Sequence, residues 1–423
     1  MGLITGWQER RAVRREAERV SALREEALRL QVQGRMQEAE AGLREVVAVR
    51  TRLRGGDDPG VLLARSDLAM LLLVLGRVEE ADAEADECLE GCRRSLGEAH
   101  DVTGKAAVAR ARVLLAQGRH RHSEEEAAKV MAARGDRPSD LTYLSARGAH
   151  AHALGNQGRH AEAVEEFAAL SRAWYKMGRA GQPLVVKARS DRAQHLIYLG
   201  RYEAAEAECR ALTELAGPKG VNRPRARLAA GIGLVVALAH LDRFEEGEAV
   251  AREAIAQAPA ELDGHFHAVL RLGLARCLNG QGRWQEALET ASTAQADLRE
   301  SPPGRQSYLP AAGIPMGTAL IGLGRSMEAV SLLRESVELC GSLLAPSHHR
   351  TLEAELVLGT ALAARGSRAE AVETLIANHA AWSEHFGEAH PKTLAATREL
   401  AAARESTSTG GGPRVNGPGE DGL

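Results

Sequence analysis

The sequence predicts an all-α solenoid: about nine stacked helix-turn-helix units plus a C-terminal capping helix. Three observations carry that expectation. A Gly-Arg step, followed by an acidic and then a small residue, recurs nine times along the 423 residues. Leucine and small residues recur at fixed distances around each step. Only 3% of residues are aromatic although 44% are apolar, so Ala, Leu and Val must do the packing, and their balance favours helix over sheet.

The steps begin at Gly34, Gly76, Gly118, Gly158, Gly200, Asp242, Gly282, Gly324 and Gly366, with spacings of 42, 42, 40, 42, 42, 40, 42 and 42. Nine anchors at so constant a period exclude a string of unrelated domains. Four residues before each stands a leucine: Leu30, Leu72, Leu114, Leu154, Leu196, Leu238, Leu278, Leu320 and Leu362. Seven before and five after, the residue is small in nearly every unit, as in Ala69 and Ala81 or Ala151 and Ala163. Spacings of three and four put these positions on one helical face. Small residues on two successive helices let the backbones approach, and the leucine fills the space beside the contact. The glycine ends the first helix, because that helix end needs a positive φ. A single hairpin of this kind cannot bury its apolar face alone, so neighbours must stack.

Two stretches depart from the pattern. Gly231-Ile232-Gly233 and Gly313-Ile314-Pro315 weaken their helices and are the expected places for a bend. Asp242 replaces the turn glycine. At the start, Thr5-Gly6-Trp7-Gln8 has the form of a capping box ahead of an Arg-rich helix, giving a helical extension over 1–16. The array then runs over 17–404 as one piece. Pro391 to Arg404 aligns with a first helix that has no second, as a cap requires. Residues 405–423 are rich in glycine and polar residues and are expected to be disordered.

The units resemble tetratricopeptide repeats, of the long-period kind seen in kinesin light chains and many bacterial proteins. Leu68, Ala69, Leu72, Gly76, Arg77, Glu80 and Ala81 carry the match, as do the loops Leu96 to Thr103 and Phe386 to Thr393. The resemblance implies a right-handed superhelix whose first helices line a concave surface that binds proteins or peptides. The chain departs from the kinesin-like pattern in its first helices, where Asp67 and Asp191 stand at sites often occupied by asparagine, so cargo rules do not carry across.

Motifs for chemistry are missing. Gly104-Lys105 is followed by Ala106, which excludes a phosphate loop, and Gly231-x-Gly233 lies in a helical context without the third glycine of a dinucleotide site. His150 and His152, like His265 and His267, are two apart and so diverge on a helix; no H-E-x-x-H occurs, and no metal site is expected. The five cysteines are odd in number and read as small buried residues rather than a disulfide framework. No nucleophile elbow occurs. A non-catalytic protein without cofactor is expected. Lys+Arg 54 against Asp+Glu 57 gives no global field for nucleic acid or an anionic membrane, and neither a signal peptide nor a spanning segment is visible. The expected location is the cytoplasm.

What remains is surface. Under the resemblance, positions thirteen, ten, six and three before each anchor face the groove. They read Lys105, Val108, Arg112 and Leu115 in the third unit; Ser145, Gly148, His152 and Gly155 in the fourth; Lys187, Ser190, Gln194 and Ile197 in the fifth; and Val269, Leu272, Arg276 and Asn279 in the seventh. Lys105, Arg112, His152, Lys187, Gln194, Arg276 and Asn279 are the candidate binding residues. Cations and amides over apolar steps suit an extended peptide with acidic side chains, or a C-terminal carboxylate. The alternative is a sensor whose curvature changes on peptide binding and which acts on a partner regulator in trans. Deleting 406–423 should leave helical signal and melting temperature unchanged in circular dichroism; a large loss of stability would show that the tail docks on the array.

Overall fold

A computed structural model describes residues 18–135, 139–178, 182–215, 223–258, 264–300, 308–344 and 346–405. The capping box at Thr5, the rest of the 1–16 extension and the tail beyond 405 lie outside these residues. Every regular element among them is helical. The Cα framework divides into two compact units, the first holding the described residues up to Leu196 with 204–215 and 223–230, the second holding 197–203 and the described residues from Gly231 on.

In the first unit the helices follow as hairpins: α1 (18–32) with α2 (Met36–Arg54), α3 (Pro59–Val74) with α4 (Val78–Ser95), α5 (Asp101–Ala116) with α6 (His120–Arg134), and α7 (Leu141–Asn156) with α8 (His160–Lys176). Next come α9 (Gln182–Tyr198), α10 (Tyr202–Leu215) and α11 (Arg223–His240), each crossing a unit boundary. The second unit continues with α12 (Phe244–Gln257), α13 (Gly264–Gly280), α14 (Trp284–Glu300), α15 (Gly313–Gly322), α16 (Ser326–Leu343), α17 (His349–Arg365), α18 (Arg368–Phe386) and α19 (Pro391–Glu405). First helices pack side by side, α3 on α5 and α5 on α7 in one unit, α13 on α15 and α15 on α17 in the other. They form one layer of each stack. The lone α19 packs on α17 and α18, where a further first helix would lie.

The repeat positions do what their spacing implies. Leu72, Leu114, Leu154, Leu196, Leu238, Leu278, Leu320 and Leu362 are buried, and so are the small residues seven before and five after the anchors. Each turn glycine has φ between 69° and 89°, and after Gly34, Gly76, Gly118, Gly158, Gly282, Gly324 and Gly366 the next amide donates to the carbonyl of the ladder leucine, as Arg77 N does to Leu72 O at 2.9 Å. That bond closes the helix end. Asp242 takes the same turn at φ 57°, a conformation non-glycine residues adopt at some cost.

The loops flagged by sequence form matching bonds. Thr103 Oγ1 donates to Gly97 O at 2.7 Å and Thr393 Oγ1 to Gly387 O at 2.8 Å, while His100 Nδ1 accepts from Val102 N and His390 Nδ1 from Lys392 N. Histidine thus caps α5 and α19, as His348 caps α17, and part of the histidine content is structural. At the outer turns, Arg77 pairs with Glu80 and reaches back to Glu40 of the preceding hairpin. Arg159 does the same with Glu162 and Glu124, and Arg283 with Glu286 and Glu248.

The two departures resolve differently. The helix α11 runs unbroken through Gly231 and Gly233, and a Cβ on Gly231 would meet Ala254 Cβ at 3.1 Å, so that glycine permits close packing on α12. At Gly313 the helix is altered: a 3₁₀ turn over Pro310–Ala312 replaces its first turn and leaves a ten-residue α15. Leu196→Ala should cost about 2–5 kcal/mol in denaturant unfolding, and Arg404→Ala on the exposed side of α19 about 0.5 or less. Equal shifts would show the register to be wrong.

Candidate functional site

The first unit holds a cavity of about 290 Å³ bounded by α5, α7, α8 and α9. Six residues of the groove-facing register meet there: Arg112, Leu115, Ser145, Gly148, His152 and Lys187. They come from three successive first helices, which the 42- and 40-residue steps bring side by side. Leu170 and Trp174 of α8 reach between those helices and, with Leu144 and Leu184, give the cavity an apolar floor and rim.

Its charges are unequal. Lys187 Nζ lies 2.8 Å from Asp191 and 3.4 Å from His152 Nε2, and His152 Nε2 lies 3.4 Å from Asp191. Burial alone would raise the Asp191 carboxyl, but the charges of His152 and Lys187 and their hydrogen bonds hold it well below the usual carboxylate range. The Lys187 charge is therefore largely answered. Arg112 has no ion-pair or hydrogen-bond partner among the described residues. Solvent reaches it, yet the surrounding walls displace enough water to lower its pKa. That combination belongs to a cation set into a concave wall.

Beneath the cavity lies an aromatic stack. His152 meets Phe167 edge-on at 5.0 Å, Phe167 stacks on His195 at 5.5 Å, and His195 Nδ1 lies 3.1 Å from His160 Nδ1. One of those two nitrogens must carry the proton and the other accept it. Burial first, and then the neighbouring His160 and His152, push the His195 pKa down to about 3. His160 opens α8.

The remaining candidates lie elsewhere. Lys105 is exposed on α5 and Gln194 half-buried on α9, and neither lines the cavity. Arg276 and Asn279 belong to the second unit. The Arg276 guanidinium makes two bonds to Glu353, at 2.7 and 2.8 Å, and Lys392 Nζ bonds the same carboxylate at 2.8 Å. Burial would raise the Glu353 carboxyl, but Arg276 and Lys392 hold it far below its ordinary value. Asn279 donates to Pro315 O at 2.8 Å, a buried structural bond. Sequence reasoning missed Asp191, Glu353, Phe167 and Trp174. Glu353 stands thirteen before Gly366, on the groove-facing register, so extending that register to the ninth unit would have found it. Asp191 was visible as an asparagine-site departure but not as a partner of Lys187.

No group of three or more His, Cys, Asp or Glu side chains suited to a metal occurs among the described residues, and no helix among them is long and apolar enough to cross a membrane. All five cysteines are buried and unpaired.

Tetratricopeptide-repeat family models match residues 61–101 and 268–292. No curated protein matches. Among solved structures, a Rap protein complexed with competence and sporulation factor is 13% identical, with a TM-score of 0.51, and the match covers 82% of this chain and 98% of that one. A putative kinesin light chain from Podospora anserina with nearly identical TPR-like repeats is 22% identical over 47% of this chain and 95% of its own, with a TM-score of 0.36. The apo form of RapI is 11% identical over 83% and 99%, with a TM-score of 0.44.

The buried histidine pair makes stability depend on pH. Between about pH 3 and 6.5 the unfolded chain binds a proton at His195 that the folded chain does not, so folded stability falls as pH falls through that window. Asp191 adds to the loss only below its ordinary carboxylate range. Urea unfolding of wild type and His195→Phe should show the difference in their stabilities changing by roughly 1.4 kcal/mol per pH unit between pH 6 and 4, with wild type losing more. Parallel pH profiles would contradict a neutral buried His195.

Proposed function

We propose that the chain, which tetratricopeptide-repeat models match over residues 61–101 and 268–292, is a non-catalytic scaffold that binds a protein or extended peptide on the wall formed by the first helices of its first unit. One observation carries this reading: six groove-facing residues from three successive hairpins converge on a single cavity, and an unanswered cation, Arg112, stands in it. An apolar floor with a few polar groups at its rim is the usual make-up of a recognition pocket. A lone guanidinium in a partly dehydrated wall favours an anionic group in the ligand, because a charge-assisted bond there replaces water that is already scarce.

The reading keeps Arg112, His152 and Lys187 as binding residues, with Lys187 acting from the rim while bonded to Asp191. Lys105 and Gln194 stand outside the cavity and would meet only a ligand long enough to run along the wall. In the second unit Arg276 is engaged with Glu353, so it would offer little to a ligand unless that pair opened.

The test is a pull-down from native lysate with wild-type bait and with Arg112→Glu combined with Lys187→Glu. The double variant should lose the partner while its circular-dichroism spectrum is unchanged, since exposed charge reversals seldom unfold a helix. Affinity of the wild type should weaken as salt rises. Identical partner sets and affinities for the two baits would refute the reading.

A further inference from the structure

A stack of hairpins is held by contacts between neighbours, so a bond between distant hairpins is an addition to it. One such bond lies inside the second unit, between residues 192 positions apart: His390, at the start of α19, and Tyr198, which closes α9 ahead of the turn at Gly200. His390 Nδ1 accepts from Lys392 N, so Nε2 carries the proton and donates to the Tyr198 carbonyl at 3.1 Å. His100 and His348 cap their helices through Nδ1 in the same way. The fifth turn is shaped for this contact. A Cβ on Gly34, Gly76, Gly118, Gly158, Gly324 or Gly366 would meet nothing within 4 Å, and one on Gly282 would reach only Trp284 of its own hairpin, at 4.0 Å. On Gly200 it would lie 2.4 Å from Pro391 Cδ and 3.2 Å from His390 Cδ2. The φ of 69° asks for glycine as in the other turns, but here the missing side chain also makes room for the proline ring. Two residues before the anchor, tyrosine occurs in the fifth unit only, and the Tyr198 ring centroid lies 3.7 Å from that of His349 at the start of α17.

Neighbour packing does not need these contacts, since α19 already packs on α17 and α18. Three consecutive residues at its start nevertheless reach elsewhere: His390 bonds Tyr198, Pro391 covers Gly200, and Lys392 bonds Glu353, the carboxylate that also holds Arg276 of α13. Closing the second unit on itself in this way fixes a curvature that stacking alone leaves adjustable. The few groups involved can part without breaking an interface between adjacent hairpins. We propose that the start of α19 is a clasp on the fifth turn, which holds the second unit closed and releases while every hairpin stays folded. The second unit then has two curvatures, one fixed by the clasp and one set by neighbour packing alone. The clasp is independent of the scaffold reading, because none of its residues lines the first unit's cavity.

The experiment uses the full chain, with hydrogen exchange read by mass spectrometry and small-angle scattering. Gly200→Asn introduces a residue that tolerates the left-handed turn, as Asp242 does, while its Cβ must push Pro391 away. Gly158→Asn makes the same change where a Cβ meets nothing. His390→Asn retains a capping oxygen for Lys392 N but is too short to reach Tyr198 O, and His100→Asn is its counterpart at the cap of α5. Each clasp variant is read on the segment it does not alter. Gly200→Asn should speed exchange over 387–394, and His390→Asn over 197–203, by at least about tenfold, with a radius of gyration above that of wild type. Gly158→Asn and His100→Asn should leave both segments and the radius at wild-type values. The proposal is overturned if either clasp variant leaves the remote segment exchanging as in wild type, if exchange rises with no change in radius, or if the controls behave as the clasp variants do. Loss of the helical circular-dichroism signal in either clasp variant also overturns it, because the contact would then hold the fold itself rather than one of two curvatures.

Discussion

The structure depends on one contact: two helices brought close at a pair of small residues, seven before and five after each turn glycine. Where both are alanine, as at Ala69 and Ala81 or Ala151 and Ala163, both are fully buried. Close approach there leaves a groove beside the contact that the ladder leucine fills, and the bond from the residue after the glycine to that leucine's carbonyl locks the helix end against it. Hydrophobic burial, turn geometry and backbone satisfaction meet within one turn of chain. Repeating that turn at a constant period is sufficient to align the first helices side by side within each unit.

Charge acts on top of this frame. At the outer turns Arg77, Arg159 and Arg283 each bond a glutamate of their own hairpin and one of the hairpin before. The bonds within a hairpin are exposed, so water and salt weaken them, whereas Glu40, Glu124 and Glu248, which reach across to the next hairpin, are half-buried and hold the relation of one hairpin to the next. Inside the second unit the same chemistry is half-buried: one carboxylate, Glu353, answers both Arg276 and Lys392, so losing Glu353 would leave two cations facing each other, whereas losing either cation would leave a one-to-one pair. A formal charge of −3 says little about function because so many of the charges are answered locally.

The frame was legible because it is periodic. Anchors, ladder leucines and small pairs sit at constant offsets, and a period survives any ignorance of three-dimensional neighbours. The groove register was not read from the period: it came from the resemblance to tetratricopeptide repeats, and the period only carried it from unit to unit to reach Arg112, His152 and Lys187, which line one cavity. Pairing was not legible. Whether Arg276 faces a ligand or Glu353 depends on a residue 77 positions away, and Asp191 neutralises Lys187 from one turn along the same helix, a distance at which many charges simply point into water. The histidine caps escaped for a related reason: His100 and His390 accept from backbone amides only after the loop has folded.

Departures from a repeat are of two kinds, and packing separates them. In the eighth and ninth units Gly317 and Gly359 replace the small residue seven before the anchor, and a Cβ on either would lie 2.7 or 2.6 Å from Leu333 or Leu375. Gly247 stands in the same relation to the Cys277 sulfur, at 2.7 Å. Each of these glycines is answered by a larger neighbour that occupies its space, so volume is conserved and the core stays dense. Gly148 is not answered in this way: its nearest neighbour stands at ordinary contact distance, the aromatics behind it stop short, and the side-chain volume missing from α7 remains as cavity. A helix-interior glycine lowers stability by about 0.5–1 kcal/mol relative to alanine, so an unfilled one carries that cost with no packing return within the chain. Among these departures, then, the glycine of the fourth repeat is one whose missing volume the described neighbours leave open, whereas Gly247, Gly317 and Gly359 are filled by the side chains packed on them.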